Sequence, residues 1–182
     1  MIPKFRIRQE MAQIASSNGK IMVGDMYFRL YDVKNDNIVA KYSAADWTLI
    51  FPGMTEEVLA DYSICRNVVV LLWCDADTGE AQGMLYLEEA HDDLDTLVFH
   101  GGTWNHHPAY HCKIFHSLIF ILNKLLTCGF NISTTCSLNN ARVDKFHQAL
   151  GFEEVGRDEC VKIKKLSGRK FTESTIVERW LN

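Results

Sequence analysis

Prolines are few, three in 182 residues, and no apolar run is long. The longest, residues 68–74 and 118–122, fall far short of the roughly 20 residues that cross a bilayer. Residues 1–8 hold no apolar core of the signal-peptide kind, so a soluble, cytoplasmic protein without membrane association is expected. The six cysteines are scattered and form no CxxC pair, which excludes a disulfide-dense secreted scaffold. Cys74 and Cys136 lie in apolar stretches and read as buried, reduced thiols. Basic excess is also missing: the net charge is −4, and general nucleic-acid binding is not expected. Residues 162–170 do hold five Lys or Arg, a run that reads first as the solvated face and turn of a hairpin.

What is present is an ordinary globular balance, 47% hydrophobic and 23% charged, enough for one domain over residues 1–182. Residues 1–19 read as an N-terminal extension, with a short helix over 5–15 and a break at 16–19. Residues 21–32 have strand character, and 44–62 read as two short helices interrupted at Pro52-Gly53. Thr55-Glu56-Glu57 suits the start of the second, a capping hydroxyl followed by acids. Strands over 67–74, 81–88 and 94–99 form an antiparallel meander, its first turn at 75–79. The period then changes. Ile114, Leu118, Ile119, Leu122, Leu125 and Leu126 recur at helical spacing between Pro108 and Gly129. A strand over 130–138 follows, then a helix capped by Asn139 or Asn140 and closed by Gly151, then β-rich segments 152–163 and 171–181. A strand–helix–strand unit inside a mostly antiparallel sheet demands one parallel pair.

The helix Asn140-Ala-Arg-Val143-Asp-Lys-Phe146-His147-Gln-Ala-Leu150-Gly151-Phe152 resembles the Asn-x-x-Ala-x-x-x-Tyr-x-x-x-Gly-Phe helix of the GNAT N-acyltransferases, with Val143 for Ala and His147 for Tyr. Upstream, residues 106–116 resemble that family's pyrophosphate loop. Pro108 and Tyr110 match, while Cys112, Ile114 and His116 fill its three small positions. Residues 175–181 resemble its last strand. The resemblance covers 67–181 best and implies an α/β (α+β) GNAT-like fold, a mixed, mostly antiparallel sheet with helices on both faces.

It further implies acetyl-CoA as co-substrate, attacked directly by an amine of unknown identity. Pyrophosphate would meet N–H groups from about His111 to His116, with Cys112, Lys113, Ile114 and Phe115 between them. Ile114 and His116 must then turn their side chains away, and His111 and Lys113 would add charge. A backbone N–H near Trp104, Asn105 or His106 would polarise the carbonyl, while Asn140 and Phe146 line the cofactor side. His147 takes the proton-donor role by carry-over. The general base is His100, or else Glu88. Glu88, Glu89, Asp92, Asp93 and Asp95 could attract a cationic amine or form a solvated turn. His107/His111 and Cys112/His116 are i,i+4 pairs, yet they point in different directions around the helix, so no metal is expected. The alternative is a non-catalytic protein on the same fold, acting through contacts around residues 104–110. Some bacteriophage members resemble this chain in their degraded loop. A homodimer through C-terminal edge strands also fits.

Overall fold

The structure is a computed structural model that describes residues 5–38, 53–104 and 108–166. Eight strands form one sheet in the order β1-β2-β3-β4-β5-β6-β8-β7. They are β1 Ile21–Val23, β2 Met26–Leu30, β3 Val68–Asp75, β4 Ala81–Glu89, β5 Thr96–Thr103, β6 Asn131–Ser137, β7 Glu153–Arg157 and β8 Val161–Leu166. All neighbours are antiparallel except β5 and β6, whose parallel pairing needs the long crossover helix between them. The four helices among the described residues are α1 Ile7–Ile14, α2 Glu56–Ile64, α3 Pro108–Thr127 and α4 Ala141–Ala149.

Alternation along the strands sends side chains to two separate cores. Val69, Leu71, Trp73, Leu85, Leu87, Leu97 and Phe99 meet α1, α3 and α4 on one face. Val68, Val70, Leu72, Cys74 and Met84 meet Leu59 of α2 on the other. Both faces of β3 are therefore covered, and all eight of its residues are buried. Helices thus lie on both faces of the sheet, as expected.

Long-range polar contacts place the outer elements. Glu89, fully buried at the end of β4, accepts the N–H groups of Arg6 (2.8 and 3.0 Å) and Ile7 (3.1 Å). It caps α1 from a distant strand, which suits the positive end of the helix. The Arg6 guanidinium lies 4.0 Å over the Phe130 ring and donates to the Cys128 carbonyl and to Asp95. Glu89 and Asp95 are therefore engaged in architecture rather than turned toward an amine. Asp93 likewise closes its own turn through Asp95 N–H and the Thr96 hydroxyl.

Three sequence expectations need correction. Residues 21–32 are not one strand: Gly24, at φ 58°, turns the chain so that β1 folds back on β2. Residues 152–163 are likewise split, because Asp158 accepts from the N–H groups of Cys160 and Val161 and closes a β7–β8 hairpin. The lysine run is not simply solvated, since Lys164 is 1% exposed. The earlier helix expected within 44–62 and the strand expected at 171–181 lie outside the described residues. No helix among the described residues is long and apolar enough to cross a membrane.

Gly83 tests the packing where β4 passes between β3 and β5. A Cβ there would come within 2.6 Å of both the Gly102 carbonyl oxygen and the Trp73 ring. We predict that Gly83→Ala lowers stability by about 1–3 kcal/mol, read as a lower urea midpoint with an unchanged slope.

Candidate functional site

β5 and β6 share only three register pairs, Thr96↔Asn131, Leu97↔Ile132 and Val98↔Ser133. Beyond them β5 stays with β4 as far as Thr103, and β6 stays with β8 as far as Ser137. The Thr134 hydroxyl donates to the Phe99 carbonyl (2.8 Å) at the point of parting. Past it no register pair joins the two strands, and a slit opens between them.

Two histidines lie on opposite faces of the sheet near this parting, close enough for their charges to interact. His100 follows Phe99 on β5, so it points to the α2 face, where it stacks on Tyr86 (centroids 4.8 Å apart). Burial lowers its pKa below the ordinary histidine value. His147, on α4, lies on the other face beside Phe152 (5.5 Å) and Phe146 (6.3 Å), itself 6% exposed. Burial first, then the nearby Lys164 charge, pushes its pKa down to about 4. The two imidazoles also feel each other electrostatically. At neutral pH both rings are uncharged. His147 can therefore donate an N–H hydrogen bond but holds no extra proton to give, which narrows the donor role expected of it. Its buried Nδ1 has no hydrogen-bond partner.

Glu88 pairs with Val98, on the closed side of the parting, and its carboxylate is 3.4 Å from the Asn67 amide. His100 is thus the group nearer the slit. Trp104 is engaged with β4: its backbone N–H donates to the Gln82 carbonyl (3.2 Å) and its indole N–H to that of Ala81 (2.8 Å). Asn105 and His106 lie outside the described residues, as does the side chain of His111.

The start of α3 lies just beyond β5. Ile114 and Phe115 turn into the core. Cys112 and His116 are exposed. Lys113 is paired with Asp25 in the β1–β2 turn (3.1 Å), and the Tyr110 hydroxyl is 3.4 Å from Asp75. These contacts aim toward the end of β3 and the β1–β2 turn rather than β6, so Lys113 is drawn away from an anion there. Phe146 joins α4 to α3 through the Phe115 ring (5.9 Å), and Asn140 caps α4 by accepting the Val143 N–H (3.1 Å). The described residues contain no grouping of three or more His, Cys, Asp or Glu able to hold a metal ion. A shallow pocket of about 240 Å³ lies elsewhere, lined by Arg29, Asp36 and the β3–β4 turn.

Sequence reasoning missed the charged cluster behind His147. Lys162 and Lys164 of β8 reach the Asp144 carboxylate in the first turn of α4, Lys162 at 2.6 Å from Oδ2 and Lys164 on Oδ1. The signal was available in the alternation of β8. Lys164 falls in phase with the core residue Leu166, whereas Ile163 is 38% exposed.

The two lysines hold the Asp144 pKa down to about 2. A depressed carboxylate stabilises the fold above its unfolded pKa, and that contribution disappears as pH falls through the folded one. Wild-type stability should therefore decline between about pH 4 and pH 2, and Asp144→Asn should flatten that decline in acid-unfolding curves. No family model matches this sequence and no curated protein matches it. Solved structures do. A probable acetyltransferase of the GNAT family from Chromobacterium violaceum superposes with a TM-score of 0.69 at 13% identity, covering 86% of this chain and 89% of its own. The GNAT-family acetyltransferase from Bacillus anthracis gives 0.68 at 12%, covering 83% and 99%. A chimaeric spermidine N-acetyltransferase from Vibrio cholerae gives 0.65 at 14%, covering 81% and 98%. At these identities the likeness is one of fold, and the fold is that of the GNAT acyl-CoA N-acyltransferases.

Proposed function

We propose that this protein is a cytoplasmic, single-domain N-acetyltransferase that moves an acetyl group from acetyl-CoA to an amine. The observation that supports it best is the β5–β6 slit with a neutral histidine on each face. Acetyl-CoA supplies an acyl group on a thiol that leaves readily. The residues present fit it at the parted strand edges and at the start of α3, where Ile114 is turned inward. The unfitting feature is the Lys113–Asp25 pair, which removes one expected cation. Backbone N–H groups of the first turn of α3 would then supply most of the anion binding.

In this scheme the amine approaches from the α2 face. His100, uncharged and held by Tyr86, accepts its proton. The amine nitrogen bonds to the carbonyl carbon, the C–S bond breaks, and the sulfur leaves with the electron pair. His147, on the opposite face, donates an N–H hydrogen bond to that sulfur. An ordinary thiol pKa is about 8.5, so little more help is needed for it to depart.

Thermal unfolding with and without millimolar acetyl-CoA tests the proposal. Ligand at a hundredfold over Kd adds about 2.7 kcal/mol, a Tm rise of roughly 5–10 °C at this chain length. His100→Ala should keep that rise while lowering kcat/KM for a competent amine about 100-fold. Absence of any rise would turn attention to the non-catalytic alternative, in which the same face contacts a protein.

A further inference from the structure

Lysine is almost never fully buried unless paired, yet Lys164 is 1% exposed. Register explains its position. Lys164 pairs with Thr134, the residue at the parting of β5 and β6, and both point to the face that carries α4. From there its ammonium donates to Oδ1 of Asp144 and approaches that residue's carbonyl (3.4 Å). Lys162, two residues earlier on the same face, takes Oδ2.

Asp144 and His147 are i and i+3 on α4, a spacing at which helix side chains meet. An unengaged carboxylate there would bond the imidazole, favour its charged form and turn its ring away from the slit. Instead both carboxylate oxygens are taken by β8, and the buried Nδ1 of His147 has no partner. We propose that Lys164 is a positioning residue for His147: with Lys162 it holds the Asp144 carboxylate on β8, so that the imidazole stands at the slit without a carboxylate partner. The proposal rests on reading the slit as the thioester site. The charged and titratable groups around His147 are Lys164 and, through Asp144, Lys162 from β8, Asp144 from α4 and His100 from β5. Cys136 of β6 senses Asp144, and Glu154 of β7 pairs with Arg157 (2.6 Å) and approaches Lys162 (3.9 Å); α3 presents the Phe115 ring to Phe146.

Histidine NMR titration of the full chain, without CoA or acceptor, tests this directly. The His147 resonance is assigned by its loss in His147→Gln, and its wild-type midpoint should lie near pH 4. Lys164→Met should raise that midpoint by about one pH unit or more and move the Nδ1 15N shift to that of a hydrogen-bonded nitrogen, which loss of the lysine charge alone does not do; adding Asp144→Asn should reverse both. An unchanged midpoint or Nδ1 shift in Lys164→Met, or a double variant equal to the single one, overturns the proposal. Should Lys164→Met not fold, Lys162→Met frees Oδ2 at a more exposed position and should give a smaller rise, with no rise again overturning it. Because the readout needs no ligand, its failure leaves the transferase reading standing. The expected shift without any CoA binding would instead remove only that reading.

Discussion

Beyond Val98 and Ser133, the described bridge between the two central strands is the Thr134 hydroxyl on the Phe99 carbonyl. Each strand has a stronger claim elsewhere. β5 is paired with β4 from Leu97 to Thr103, and β6 with β8 from the pair Ile132↔Leu166 to the pair Ser137↔Val161. Strand twist accumulates between two such ladders, and a parallel contact of three pairs is the weakest place in the sheet for it to be relieved. The parting leaves two strands side by side inside the sheet without a ladder between them.

The rest of the scaffold is arranged around that opening by long-range polar contacts rather than by helix propensity, and those at Glu89 and Lys164 are buried. α1 has no side-chain cap of its own and depends on Glu89 from the strand next to β5. The first turns of α3 reach the end of β3 through Tyr110–Asp75 and the β1–β2 turn through the exposed pair Lys113–Asp25. α4 is tied to the sheet by Lys162 and Lys164 on Asp144. At the buried Lys164–Asp144 pair, removing one partner leaves an uncompensated charge, which costs far more than the pair itself contributes. These contacts therefore specify where each helix sits more than they add to net stability.

That distinction explains what could be read in advance. The strands over 68–75 and 81–89 and the long helix over 108–127 follow from hydrophobic period and from Pro108 and Gly129, which are local signals. The Asn140 cap was local too. The β1–β2 turn was missed although Gly24-Asp25 is a hairpin signal, because three residues make a very short strand. The role of Glu89, 83 residues from Arg6, is invisible to any window. Lys164 misled for a similar reason: a lysine among lysines reads as solvated until the register on β6 sets which face it occupies. Of the candidate site, the two histidines were legible as residue types at motif positions. Their protonation was not, because it depends on burial and on a charge from β8.

Under the transferase proposal, that protonation also divides the work between the two faces. Thiolate departure near neutral pH works against a pKa of about 8.5, roughly 2 kcal/mol at pH 7, which one hydrogen bond from a neutral His147 can largely offset. Deprotonating an alkylammonium of pKa about 10.4 with an imidazole below 6.5 spans about 4 units, or roughly 5 kcal/mol. The harder proton transfer therefore belongs to the α2 face. There the structure supplies a half-buried His100 stacked on Tyr86, with Glu88 two residues along β4 on the same side. Burial of His100 keeps the base unprotonated and ready but also weak, so desolvating the ammonium against the same apolar surroundings must do part of the task. A charged lysine on the far face and none of its kind beside His100 among the described residues is the arrangement this division requires, since a cation near the base would weaken it further.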